Sequence, residues 1–204
     1  MENTTSDQEL YQSKKEAKRK YRKRARILRL SRFYLLIFSG LVVFGFGLYW
    51  LAGTLGPQGV DFSRAVPVIE DRTHIPVGES EFVTYNSNPP TSGPHYDQTA
   101  RSGFRTEEIS DGHIIHNLEH GDIWISYRPG VSEEVKDQLR QFGSAKVIIT
   151  PRSDNETDIA LAAWGRLDVF DLEDDLVPEQ RIEDFIKRYI GRGPERVPGA
   201  SGGI

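Results

Sequence analysis

The chain has 204 residues, enough for one ordinary domain with appendages. It has no cysteine and a single methionine, Met1, which excludes disulfides and thiolate ligands and disfavours soft-metal chemistry such as Cu(I) or Fe–S. Its net charge of −4 hides two parts of opposite sign. Residues 1–32 hold 11 Lys/Arg and 4 Asp/Glu, a balance of +7, and the remainder holds 15 and 26, a balance of −11.

Residues 1–13 are polar and are expected to be disordered. The basic run from Lys14 to Arg32 is rich in good helix formers and is expected to continue inward from the helix that follows. Its expected partner is anionic lipid, and nucleic-acid binding is not expected of a basic run in this position. "FYLLIFSGLVVFGFGLYWLAG", residues 33–53, carries no charge. As a helix it spans roughly 30 Å, the hydrocarbon thickness of a bilayer. Tyr34 at one end and Tyr49 and Trp50 at the other suit the two interfaces. The run is too long for a cleaved signal, no small-x-small cleavage site follows it, and a lipoprotein signal would need a cysteine. A single-pass signal anchor is the expected result. The positive-inside rule places residues 1–32 in the cytoplasm and the C-terminal domain outside.

Residues 54–80, punctuated by Gly56, Pro57, Gly59, Pro67 and Pro76, read as a stalk. An extracytoplasmic domain is expected over 81–191, its core beginning near residue 70, with 192–204 as a flexible tail. "EFVTYN", 81–86, alternates as a short strand. "NPPTSGPHY" must be a rigid non-helical loop, because three prolines each lack a donor and restrict their predecessors. Residues 103–111 read as a further loop. "DIWISYRPG" is a strand with Ile123, Ile125 and Tyr127 on one face and Trp124 and Ser126 on the other. Ser132 caps a helix through Phe142, "AKVIITP" is a strand, and "DIALAAWGRLDVFD" reads as one strand bent at Gly165. A last helix runs from Pro178 to Gly191. The fold class is therefore α+β: a small mixed or antiparallel sheet with two packed helices, behind one N-terminal transmembrane helix.

All five histidines, His74, His95, His113, His116 and His120, lie within 47 residues. Imidazole is the commonest metal ligand and the side chain that ordinarily titrates near neutrality. "HIIHNLEHG", 113–121, is β-rich at its start and contains the turn formers Asn117 and Gly121, so a strand breaking into a turn is expected. On a strand or on a helix, His116 and His120 point the same way; His113 joins them only on a helix. A metal site needs three or four ligands, and His95, on the stiff proline loop, is the expected third. Glu119 and His74 are further ligands or outer partners that orient an imidazole, a role open to Asp97 and Asp122 as well. The candidate metal residues are thus His95, His116, His120, Glu119 and His74. Zn(II), Cu(II), Mn(II), Ni(II) and Fe(II) all remain open.

Two other functions stay beside a metal-binding domain: a metal-dependent enzyme of unspecified reaction, and a structural or interaction domain whose histidines form a metal-free hydrogen-bond network with carboxylates. No catalytic residue is assigned. The HExxH helix is absent, and "TSGPH" lacks the elbow that would make Ser92 a nucleophile, so its hydroxyl is expected to stabilise a turn.

With Pro89–His95 as "PPTSGPH" and His116–Gly121 as "HNLEHG", the chain resembles the bacterial and archaeal family catalogued as domain of unknown function 3105, often found behind one membrane helix. "AWGR" at 163–166 and "GPE" at 193–195 extend the likeness over roughly residues 70–197. The resemblance carries no activity. It implies motif status for His95, His116, Glu119 and His120, adds His74 from an upstream segment of histidine followed by strand, and leaves His113 outside.

Overall fold

The computed structural model describes residues 3–195, 197 and 203, and the side chains of these except at 3–13 and 17. The chain forms two units, Met1–Leu55 and Gly56–Ile204.

The first unit is one helix, α1 (Asn3–Leu55). It begins inside the segment expected to be disordered. That segment is polar, but it contains no glycine or proline, and Glu9, Leu10 and Gln12 are good helix formers, so nothing in it stops a helix. The part from Lys14 to Leu55 is long and apolar enough to cross a membrane, a property that anchors and signal sequences share.

The second unit is built on a six-stranded mixed sheet. Its strands are β1 (Arg64–Ala65), β4 (Gly103–Phe104), β5 (Ile123–Tyr127), β6 (Val147–Pro151), β7 (Ile159–Ala163) and β8 (Arg166–Phe170), in the order β1-β8-β7-β5-β6-β4. A separate parallel pair joins β2 (His74–Ile75) to β3 (His95–Tyr96). The helices are α2 (Asp111–Glu119), α3 (Glu133–Arg140) and α4 (Glu179–Tyr189). The connection β5–α3–β6 returns parallel to its starting strand, whereas β7 and β8 run antiparallel to their neighbours.

The three central strands β5, β6 and β7 are buried at every position, because helices cover both faces of the sheet. One face carries Ile123, Ile125, Ile149 and Leu161 against Val135 and Leu139 of α3 and Ile182 and Phe185 of α4. The other carries Trp124, Ile148, Ala162 and Leu167 against Ile114 and Leu118 of α2. The alternation expected for 123–127 is therefore real, but each parity meets its own helical layer. Ser132 caps α3 as expected, its hydroxyl accepting the Val135 N–H at 3.3 Å.

Four expected elements take another form. Residues 103–111, read as a loop, begin with β4, which pairs with Ile148–Ile149 of β6. "HIIHNLEHG" is helical through Glu119: Ile114 and Leu118, four residues apart, bury one stripe on the sheet, and this packing outweighs the weak β preference of isoleucine. Residues 81–86 form no strand; a 3-10 turn at Glu79–Phe82 replaces it, and Phe82 is 85% exposed, so no second layer rewards the alternation. The single bent strand is a hairpin, β7–β8, turning at Trp164-Gly165 with Gly165 at φ +68°, which favours glycine. Of the expected flexible tail, 192–204, residues 196, 198–202 and 204 lie outside the described residues, whereas the Glu195 N–H is hydrogen-bonded to the Glu119 carbonyl at the end of α2.

Trp124 is fully buried beneath α2, its indole N–H donating to Thr150 Oγ1 at 2.9 Å. Trp124→Ala is expected to destabilise the domain by about 3–5 kcal/mol, read as a lower midpoint in chemical denaturation.

Candidate metal centre

The loop before β3 is fixed by its own sequence. Pro89 and Pro90 are buried, and the Tyr85 hydroxyl donates to the Pro94 carbonyl at 2.8 Å. Gly93 sits at φ +125°, and a Cβ there would approach the Tyr85 ring to 3.1 Å. The Ser92 hydroxyl is buried and accepts the Ile69 N–H at 2.9 Å, the turn-bracing use expected of it. His95 leaves this loop as the first residue of β3. The parallel register of β2 and β3 then sets His74 directly beside it.

α2 brings the remaining groups from the other side. His116 and Glu119 are three residues apart, so they share a helix face, turned away from the stripe of Ile114 and Leu118. The rings of His74, His95 and His116 form a near-equilateral triangle, with centroids 5.1, 5.0 and 4.9 Å apart. One donor atom each from His74, His95, His116 and Glu119 lies within 4.8 Å of all the others. His95, His116 and Glu119 are buried, while the His74 side chain is 47% exposed and forms the rim.

Hydrogen bonding decides which nitrogens are free. His95 Nδ1 lies 2.8 Å from the Gly93 carbonyl and His116 Nδ1 lies 2.8 Å from the Tyr96 carbonyl. A carbonyl oxygen only accepts, so Nδ1 carries a proton in both rings, and in the neutral imidazole Nε2 is then the lone pair. His74 Nδ1 faces Asp97 Oδ1 at 3.2 Å, an exposed contact. Burial pushes the His116 imidazole below its usual range, the positive charge of a protonated His120 or His95 pushes it further, and the bond to Tyr96 opposes only in part.

Glu119 is positioned by Arg72, whose Nη1 donates to Oε1 at 2.9 Å. Its other oxygen stands 3.1 Å from His95 Nε2, yet the two are not aligned as a hydrogen bond, and among the described residues the buried His95 Nε2 has no hydrogen-bond partner. With His95 neutral and its proton on Nδ1, two lone pairs face each other across that gap. A cation between them would satisfy both, which is the arrangement a divalent metal requires.

Not every candidate joins the group. His120 lies just past the end of α2, its ring edge-on to His116 at 4.5 Å, with Nε2 directed at Glu195 Oε2 3.4 Å away. His113 packs against Tyr96 at 4.8 Å, and its Nδ1 donates to the Gln98 carbonyl at 2.7 Å. Asp122 is fully buried beside Asn117 and Lys146, a structural place rather than a ligating one. Arg72 and Glu195 were not anticipated. Arg72 carried only its nearness to His74 as a signal, and Glu195 only its place in the "GPE" motif.

Asn117, read as a turn former, is instead the lock of α2. It accepts the Ala100 N–H at 2.7 Å and donates to the Ala100 carbonyl and to Asp122 Oδ2, both at 3.0 Å.

The fold and the site define a small α+β domain with a His/Glu cluster at one edge. Residues 76–201 match the family described as Protein of unknown function (DUF3105), and the chain belongs to it. No curated protein and no solved structure matches the chain. The match begins two residues after His74, so the exposed member of the donor group precedes the matched region.

Asn117→Ala leaves the Ala100 N–H and the buried Asp122 carboxylate without their partner. It is expected to cost about 2–3 kcal/mol, measured by denaturant unfolding.

Proposed function

We propose that this protein is a single-pass, membrane-anchored, extracytoplasmic metal-binding protein whose outer domain holds one divalent ion between His74, His95, His116 and Glu119. The observation that carries this reading is the convergence of four donor atoms, three of them on buried side chains, with the two buried imidazoles anchored through Nδ1 to backbone carbonyls. Tetrahedral donors on bonds of about 2.0–2.1 Å sit about 3.4 Å apart. Loading therefore draws the group inward, and His74, at the exposed rim, has room to move. With no sulfur in the set, Zn(II), Cu(II), Mn(II), Ni(II) and Fe(II) are the ions to test.

A purely structural histidine network is disfavoured by His95 Nε2, which is buried against Glu119 without forming a hydrogen bond. A metal-dependent enzyme is the second reading. It is favoured by the exposure of His74, which leaves one side of the group open to water or a substrate.

The direct test is metal analysis of the full-length chain, purified in detergent without a histidine tag and reconstituted with each ion in turn. About one equivalent of at least one ion is expected, lost in His95→Ala; uptake near zero for all five would end the proposal.

For topology, the 11 basic residues of 14–32 support a cytoplasmic N-terminus, where they also meet anionic lipid. Because the chain has no cysteine, single cysteines report without background. Glu173→Cys is expected to react with a membrane-impermeant maleimide in intact cells and Ser6→Cys only after permeabilisation. The reverse pattern would invert the orientation.

A further inference from the structure

Beyond α2, three successive carbonyls have lost helical partners, and each is taken by a donor from elsewhere. The Glu119 carbonyl accepts the Glu195 N–H at 3.0 Å, the His120 carbonyl accepts Lys146 Nζ at 3.1 Å, and the Gly121 carbonyl accepts the Gly191 N–H at 2.7 Å. Two of the three come from one stretch, Gly191–Glu195, lying across the helix end. The fit is backbone to backbone. A Cβ on Gly121 would stand 2.8 Å from Gly191 Cα and from Gly193 N, and one on Gly193 would overlap Glu119 O and Gly121 N. Each glycine is required by the other segment, so the "HNLEHG" and "GPE" motifs are two halves of one contact. The Glu195 carboxylate adds a tie to His120, whose ring abuts His116.

Glu119 is thus gripped twice: its carboxylate by Arg72 and its carbonyl by the strap. We propose that the Gly191–Glu195 strap is the positioning device of the metal centre, holding Glu119 at the distance from the three imidazoles at which it ligates. The inference rests on the metal-binding reading above. It assigns to the C-terminal segment a role in metal affinity and coordination geometry rather than in chain stability alone. Partners that orient a ligand in this way typically contribute about 10–100-fold to metal affinity.

Co(II) titration of the full-length, chelator-stripped protein reads both affinity and ligand field, the latter through its visible spectrum. Wild type is expected to bind about one equivalent. Gly193→Ala, which forces the strap off the helix end, is expected to bind at least about tenfold more weakly, with shifted or weakened visible bands. Deletion of 193–204 takes the Glu195 N–H and carboxylate from the end of α2 without inserting a methyl group, along with the Gly203 carbonyl that Arg101 Nε bonds, and is expected to weaken Co(II) binding and alter its bands likewise, so the test stands even if Gly193→Ala does not fold. Variants that bind as tightly as wild type with an unchanged spectrum would overturn the strap's role while leaving the metal centre intact. A wild-type chain that takes up no metal would instead refute the centre itself.

Discussion

The seating of α2 on the sheet governs where the histidines lie. Ile114 and Leu118 enter the layer formed by Trp124, Ile148, Ala162 and Leu167, and Asn117 bonds both backbone groups of Ala100. With those contacts made, a 100° rotation per residue leaves His116 and Glu119 no direction but toward β2 and β3. A rotation of the helix that moved His116 off the site would expose two isoleucine- and leucine-sized side chains and break the amide lock. Burial of apolar area in that layer, roughly 2–3 kcal/mol for each of these side chains, therefore holds the polar geometry in place.

Most residues around the donor group work on orientation. Gly93 and Tyr96 supply carbonyls that fix the tautomers of His95 and His116, Arg72 fixes the Glu119 carboxylate, and Asp97 faces His74 from solvent. The carbonyl contacts are buried and geometrically constrained, whereas the Asp97 contact is exposed and weak. The resulting gradient of burial runs from His95, fully buried, to His74, half-exposed at the rim.

Tyr96 connects this edge to a second concavity. Its carbonyl holds His116, while its hydroxyl lies 2.5 Å from Ser80 Oγ and 2.8 Å from the Gly78 nitrogen. Ser80 and Ser110 line a pocket of about 350 Å³ with Tyr85, Asp111 and Arg152, and Arg152 is neutralised there by a two-point pair with Asp111. Tyr96 thus bonds His116 on one side and the pocket-lining Ser80 on the other. Its ring lies against α2, where a Cβ on Gly112 would stand 2.8 Å from it.

Composition and patterning alone determined the apolar span of 33–53, the mixed α+β class, the two faces of β5, the Ser132 cap and the family. These depend on local properties: uninterrupted apolarity, period-two alternation, a side-chain cap and contiguous motifs. Sequence also narrowed the candidate site to His74, His95, His116, Glu119 and His120, because histidines beside prolines and in a dense cluster are visible without coordinates. Only tertiary structure decided that the cluster is helical, since the choice turned on whether Ile114 and Leu118 had a sheet to cover. It alone separated His120 from the other donors, because a residue one step past a helix end follows the path of the chain and not the helical period. It alone recruited Arg72, Lys146 and the 191–195 strap, which approach from 26 to 76 positions away in sequence. Long-range pairing of this kind leaves no periodic trace, and here it is what turns a run of histidines into a group with a fixed geometry.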